Sequence, residues 1–153
     1  MGGKRPGAVE DYEELRELFR HHIESFDHTV ESGLETMFLG IKPVVVYPPQ
    51  KEGNSKAMSN RLLPYECRQA RISYSGKFAA DICFQYDDGP VIREKINLGQ
   101  FPIMLKSKLC HLSDADPQKL VSCKEEASEM GGYFILNGLE RVVRLLILPK
   151  RNY

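Results

Sequence analysis

The chain has 153 residues, 42% of them hydrophobic and 27% charged, with 21 Lys and Arg against 21 Asp and Glu. A chain of that length buries roughly 68–70% of its unfolded surface, so one domain can hold a core without a disulfide or metal staple. The zero net charge excludes an overall field that would draw the chain to nucleic acid or an anionic membrane, and any basic function must be local.

Residues 1–8, rich in Gly, Lys and Arg, read as a disordered tail. The opening MGGKRPGAV lacks the apolar core of a signal peptide, and Pro6 stands where a myristoylation motif needs Ser or Thr. From Glu10 to Phe38 the apolar residues Leu15, Leu18, Phe19, Ile23, Phe26, Val30, Leu34, Met37 and Phe38 recur at helical spacing. The opposite face is acidic, which suits a solvated helix surface. Ser25 or Gly33 is the expected break into two helices, with Gly40 and Pro43 as the stop.

VVVYPP offers a short strand ended by two prolines, followed by a flexible polar loop, QKEGNSKAMSNR. Pro64 opens a short helix, PYECRQAR, because its missing N–H costs nothing in a first turn. In KFAADICFQY the residues Phe78, Ala80, Ile82, Phe84 and Tyr86 alternate with Ala79, Asp81, Cys83 and Gln85, the period of a strand with one buried face. DDGP turns the chain, and VIREKINL returns with Ile92, Ile96 and Leu98 on one face. QFPIMLKSKLCHL is largely apolar around Lys106 and Lys108, and DADPQKLVSCKEEASEM reads as a short helix with Asp116 as N-cap and Pro117 in first position. In MGGYFILNGLERVV, Asn137-Gly138 accepts the positive torsions of a type I′ hairpin turn. The arm after that turn is compatible with helix or strand, and its β-branched content favours strand. The fold class is therefore α+β: N-terminal helices, then a mixed or antiparallel sheet with hairpins.

Cys67, Cys83, Cys110 and Cys123 lie far apart without a CxxC pair, so they are expected to be reduced and buried in an intracellular protein. Cys110, His111 and Cys123 lack the ligand spacing of a zinc site. No phosphate-binding Gly loop, GxSxG or HExxH is present. Asp87-Asp88, followed by Gly89-Pro90, reads as a turn former rather than a metal pair, and a small hydrolase using Asp87, Asp88 and His111 is the weakest functional reading. What remains is basic: Lys106 and Lys108, which would point the same way on a strand; Arg141 and Arg144, which would share a face on a helix; and Lys150 and Arg151 after Pro149. Each pair could hold phosphates or join a local salt bridge, for instance Glu140 with Arg141 or Arg144.

These segments together resemble the N-terminal region of the second-largest, β-like subunit of multisubunit DNA-dependent RNA polymerases. The resemblance rests on Pro102, Ile103 and Met104, and on the hairpin set Gly132, Phe134, Ile135, Asn137, Gly138, Glu140, Arg141 and Val142. It rests also on PYECRQARISYSGKFAADI and on HHIESFDHTVESGL, so it runs from about Tyr12 to Tyr153. RLLILPKRNY is similar to the polymerase I branch of that family.

The resemblance implies that residues 9–153 are the N-terminal part of the protrusion domain, a fragment of a far longer subunit that shapes the nucleic-acid cleft without catalytic residues of its own. It implies the other polymerase I subunits, the largest among them, together with template DNA and the RNA–DNA hybrid as partners, with no membrane, in the nucleus and nucleolus. It implies magnesium held in the assembled enzyme and zinc in an absent C-terminal part, with no cofactor on this chain. Lys150 and Arg151, then Lys106 and Lys108, are the implied nucleic-acid contacts. The alternative is a stand-alone α+β module that binds a protein partner through its acidic N-terminal helix.

Overall fold

The computed structural model describes residues 13–37, 44–51, 60–146 and 148–150. The expected tail, the helix stop at Gly40 and Pro43, and most of the polar loop lie outside these residues. The elements in order are α1 (Glu13–His28), a π-helical turn (Thr29–Gly33), α2 (Leu34–Met37), β1 (Val44–Val46) and α3 (Pro64–Ala70). They continue with β2 (Ser75–Phe84), β3 (Ile92–Pro102), α4 (Pro117–Ser122), β4 (Phe134–Leu136) and β5 (Leu139–Arg141). The architecture is α+β, with one three-stranded antiparallel sheet in the order β1-β2-β3 and a separate β4-β5 hairpin.

The N-terminal helix does not break at Ser25. It widens into one π turn that ends at Gly33, where the Leu34 N–H reaches back to the Thr29 carbonyl. The cause is a run of hydroxyls that bond back one turn: Thr29 Oγ1 to the Ser25 carbonyl (2.8 Å), Ser32 Oγ to His28 (3.1 Å) and Thr36 Oγ1 to Ser32 (3.0 Å). Such bonds compete with the helix ladder and bend it. Phe26 and Leu34 are buried and Ile23 and Val30 pack beside them, whereas Leu18 is 64% and Met37 75% exposed. The apolar stripe read from the sequence is thus covered only in its middle.

β2 and β3 form a long hairpin. Asp87 takes a positive φ of 48° in its turn, and the Gly89 N–H closes on the Tyr86 carbonyl at 2.9 Å. Ile92 and Ile96 stand opposite Phe84 and Ala80, but the register shifts between Phe78 and Ala79, leaving Leu98 without a partner. That bulge puts Ala79 and Ala80 both inside, while Ile92, Ile96, Leu98 and Tyr86 are exposed. The expected one-sided burial therefore fails in the outer half of the hairpin, where none of the described residues forms a second layer over the sheet. β1 reaches only to Ala80, and Cys83, expected inside, is exposed on the same outer half. Cys67 and Cys110 are buried and Cys123 half-buried, all four as free thiols.

The core lies at the other end of the hairpin. Tyr74, Ile103, Leu105, Leu112, Leu120 and Ile135 are fully buried there. Residues 103–115 form neither strand nor helix but a chain of tight turns, with N–H to carbonyl bonds from Ser107 to Met104, Cys110 to Ser107, Ser113 to Cys110 and Ala115 to Leu112. α4 starts as expected, with the Asp116 side chain accepting from the Lys119 N–H at 3.0 Å and Pro117 opening the helix, but it ends at Ser122 and the residues to Met130 form turns and irregular chain instead of continuing it. The β4-β5 turn also forms as expected, with φ of 52° at Asn137 and 77° at Gly138. It is pinned by the Gly138 N–H on the Ile72 carbonyl (3.1 Å) and the Asn137 N–H on Ser73 Oγ (3.1 Å).

Two consequences are measurable by urea unfolding. A Cβ added at Gly76 would lie 1.7 Å from the Tyr47 carbonyl oxygen on β1's exit. Gly76→Ala is expected to destabilise the chain by about 2–3 kcal/mol through forced separation of β1 and β2, and an unchanged midpoint would contradict that packing. Glu66 is held below its ordinary pKa, first by the hydrogen bond from Lys51 (2.7 Å) and also by the Leu63 N–H, with burial opposing. A carboxylate depressed in the fold stabilises the folded state above its unfolded pKa, and the contribution is lost as pH falls through the folded value. The stability difference between wild type and Glu66→Gln should therefore be flat from neutral pH to about 5.5 and shrink below the unfolded value of 4.5.

Candidate nucleic-acid interface

The four basic candidates do not form one patch. Lys106 sits in the buried turn run with a positive φ of 60°. It is half-buried, and its Nζ donates to the Glu129 carbonyl at 3.3 Å. Burial, then the neighbouring Arg16, holds its ammonium below the usual lysine range. Lys108 is exposed and its Nζ is bonded to Glu31, while its N–H is taken by Asp27 Oδ1 at 3.0 Å. The Glu31 contact raises the Lys108 pKa. The expectation that the two lysines share a strand face is therefore corrected: between Leu105 and Ser107, both fully buried, the backbone turns, and each lysine serves a separate internal contact. Lys150 is exposed. Arg151 lies outside the described residues. Arg141 and Arg144 are exposed on strand and irregular chain, not on a helical face.

The strongest ionic assembly in the fold is one the sequence did not pair. Arg68, in the last turn of α3, bonds through Nη1 to both Glu125 oxygens (2.8 Å each), through Nε to Glu140 Oε1 (2.8 Å) and through Nη2 to Tyr133 Oη (2.7 Å). Tyr133 Oη in turn donates to Glu129 Oε2 at 3.0 Å. Glu140, expected to pair with Arg141 or Arg144, is therefore bound across 72 positions of sequence instead. Burial opposes the guanidinium charge, but Tyr133, Glu125 and Glu140 more than offset it and raise the Arg68 pKa. Burial likewise raises Glu125, against the pull of Arg68. α3, the loop after α4 and the β4-β5 hairpin are thereby clamped together.

The clamp contains no nucleophile and no group set for proton transfer; its chemistry is positional. Asp87 and Asp88 sit at the hairpin tip, whereas the His111 ring N–H bonds the Pro49 carbonyl at 2.6 Å. Among the described residues no three His, Cys, Asp or Glu side chains come together as metal ligands. Also among these residues, no helix is long and apolar enough to cross a membrane.

Arg68→Ala should cost about 3–5 kcal/mol, because Glu125, whose side chain is only 4% exposed, is left as an unpaired buried charge. Glu140→Gln, at a site 56% exposed, should cost below about 1 kcal/mol. Adding Glu125→Gln to Arg68→Ala should recover part of the loss in urea unfolding; no recovery would mean that packing, not charge, carries the site.

A sequence model described as RNA polymerase beta subunit matches residues 35–148. The chain is 53% identical to DNA-directed RNA polymerase I subunit 2 of Arabidopsis thaliana, over 95% of this chain and 14% of that protein. It is 40% identical to DNA-directed RNA polymerase I subunit RPA2 of Homo sapiens, over 91% of this chain and 14% of that one. The match to DNA-directed RNA polymerase I subunit rpa2 of Dictyostelium discoideum is 32% identical, over 92% of this chain and 15% of the relative. The chain thus spans about one seventh of the length of the curated relatives it matches. With its ordered motifs, its antiparallel hairpins and these matches, the chain belongs to the RNA polymerase beta-subunit family, in the protrusion region of that subunit.

Proposed function

We propose that this chain is the N-terminal portion of the second-largest subunit of RNA polymerase I, and that residues 9–153 build the first part of its protrusion, one wall of the cleft in which ribosomal RNA is synthesised on a DNA template. The observation that carries the reading is the 53% identity to a polymerase I second subunit across 95% of the chain. The fold supports it, because Ile103 and Met104 of the first quoted motif and Ile135 of the hairpin motif are buried in one core, and Glu140 of the hairpin motif is clamped by Arg68 from the upstream one.

Phosphoryl transfer needs metal ions to stabilise the attacking and leaving oxygens. In this proposal magnesium is held elsewhere in the assembled enzyme, zinc lies in the subunit's C-terminal part, and this chain contributes shape. Its partners are the other polymerase I subunits, the largest included, with template DNA and the RNA–DNA hybrid in the cleft, in the nucleus and its nucleolus. Lys150 and Arg151 are the leading phosphate contacts, since Lys106 and Lys108 already hold Glu129 and Glu31. The reading as an independent module that docks through an acidic helix is weaker. Glu17 and Glu24 pair with Arg20 on that helix, and Glu31 pairs with Lys108.

Immunopurification of polymerase I through its largest subunit should recover peptides of this chain, and their absence would sink the reading. In the assembled enzyme, Lys150→Gln with Arg151→Gln should lower the slope of log affinity for DNA against log salt by about 2, near 0.9 per lost phosphate contact. Lys108→Gln should leave that slope unchanged.

A further inference from the structure

β2 and β3 carry different chemistry on their two faces, because cross-strand partners point the same way and successive residues point opposite ways. Ile82, Phe84, Ile92 and Ile96 share the apolar face. On the other face the register sets Arg93 opposite Cys83, Lys95 opposite Asp81 and Lys77 opposite Gln100. Tyr47, whose N–H bonds the Lys77 carbonyl at 2.9 Å, continues the β1 register onto that same face. Its hydroxyl meets Lys95 Nζ, which stands 5.1 Å from the ring centroid. The ring therefore lies across the face from β1 towards β3, past the small Ala79, which is 7% exposed.

Counted along β2, the order is Arg93, Lys95, the Tyr47 ring and Lys77, a row of about 20 Å at roughly 3.3 Å per residue. The three cations are exposed and Tyr47 is half-buried. Asp81 is the one carboxylate that the paired residues place in this row, since Glu94 belongs to the apolar face. The cations keep their charge: the Cys83 thiol raises the pKa of Arg93, and the Tyr47 hydroxyl raises that of Lys95. Arg68 and Lys108, by contrast, are spent on carboxylates. A row of cations interrupted by one flat ring complements a polyanion that also carries flat groups. In a single nucleic-acid strand the phosphates meet point charges and an unstacked base lies on an aromatic ring. A duplex keeps its bases stacked inside and offers the ring nothing, and an acidic peptide brings carboxylates without planar bases.

We propose that this sheet face binds single-stranded nucleic acid without regard to sequence, with Arg93, Lys95 and Lys77 on phosphates and a base stacked on Tyr47. The surface is separate from Lys150 and Arg151. It does not rest on the polymerase assignment, and it is tested on the chain itself rather than on an assembled enzyme.

The test is fluorescence anisotropy of a labelled oligothymidylate of about 15 nucleotides, titrated with the 153-residue chain from about 50 mM salt upward. Saturable binding is expected, with log affinity falling against log salt at a slope near −2, about 0.7 per phosphate contact. Lys77→Gln, Arg93→Gln and Lys95→Gln should each make that slope shallower by about 0.7. Tyr47→Leu should weaken binding about tenfold and leave the slope unchanged, whereas Tyr47→Phe should keep most of the affinity. Asp81→Asn, which takes the carboxylate out of the row, should tighten binding about threefold. Lys108→Gln, at a cation held by Glu31, should change nothing. Amide NMR spectra of each variant report whether the fold is kept, and the glutamine variants, all at exposed positions, decide the matter if Tyr47→Leu unfolds. Binding that does not saturate, a slope indifferent to the three glutamine variants, a folded Tyr47→Leu that binds as well as wild type, or equal or tighter binding of a duplex or of polyglutamate would overturn the proposal.

Discussion

Tyr74 is the residue through which the two halves of the structure hold together. Its N–H bonds the Ile135 carbonyl and its carbonyl accepts the Ile103 N–H, each at 2.9 Å. The chain just before β2 is thereby stitched to β4 on one side and to the end of β3 on the other. Its ring is fully buried, and its hydroxyl meets Cys110 Sγ at 3.5 Å and the His111 N–H at 3.2 Å. Burial pushes the phenol far above its normal pKa, so it remains a hydroxyl that donates and accepts. A buried hydroxyl without partners costs about 1–3 kcal/mol. The turn run from Ile103 to Leu112 supplies those partners because it folds back over the ring instead of continuing β3.

That requirement explains the positions of the lysines. The run must bury Leu105, Ser107, Cys110 and Leu112 within eight residues, which no strand or helix period accommodates. The backbone therefore turns sharply at Lys106, with a positive φ that costs a non-glycine residue on the order of 1 kcal/mol. The long side chain leaves along the surface, with its stem half-covered and its ammonium on the Glu129 carbonyl. Lys108 lands against Asp27 and Glu31 and ties the same run to the N-terminal helix. Residues that look like a phosphate-binding pair in one dimension are, in three, two ties between a turn run and its neighbours.

What the sequence shows directly is whatever a few adjacent residues decide by themselves. Asp116-Pro117 dictates a helix start, Asn137-Gly138 a type I′ turn and Pro64 a first helical turn, and the structure has all three. The strand period of residues 77–84 is equally local and forms. Burial is not local. Ile92 and Ile96 carry a correct alternation on a hairpin whose outer half is left uncovered by the described residues, and the bulge at Leu98 depends on how β3 pairs with β2. The π turn escaped notice because it comes from hydroxyls bonding one turn back, a choice that Ser and Thr leave open in sequence. The Arg68 clamp escaped because its partners stand 57 and 72 positions away, and each of its glutamates has a nearer basic residue to suggest a false pair.

The distribution of satisfied and unsatisfied surface divides the molecule. Among the described residues every buried side-chain nitrogen and oxygen has a hydrogen-bond partner, and the Tyr74 seam and the Arg68 clamp leave the centre little freedom. Uncovered apolar side chains gather instead at two places, the outer β2-β3 hairpin with Val91, Ile92 and Ile96, and the stretch from Leu139 through Val142, Val143, Leu145, Leu146 and Leu148. Patches of this kind are where a protein meets a partner, a ligand or another copy of itself when it meets one at all. A centre fixed by buried hydrogen bonds can hold both faces in constant relative geometry. Among the described residues Arg20, Lys51, Arg68, Lys106 and Lys108 are bound to carboxylates or a carbonyl, so these cations serve contacts within the fold before any outside it.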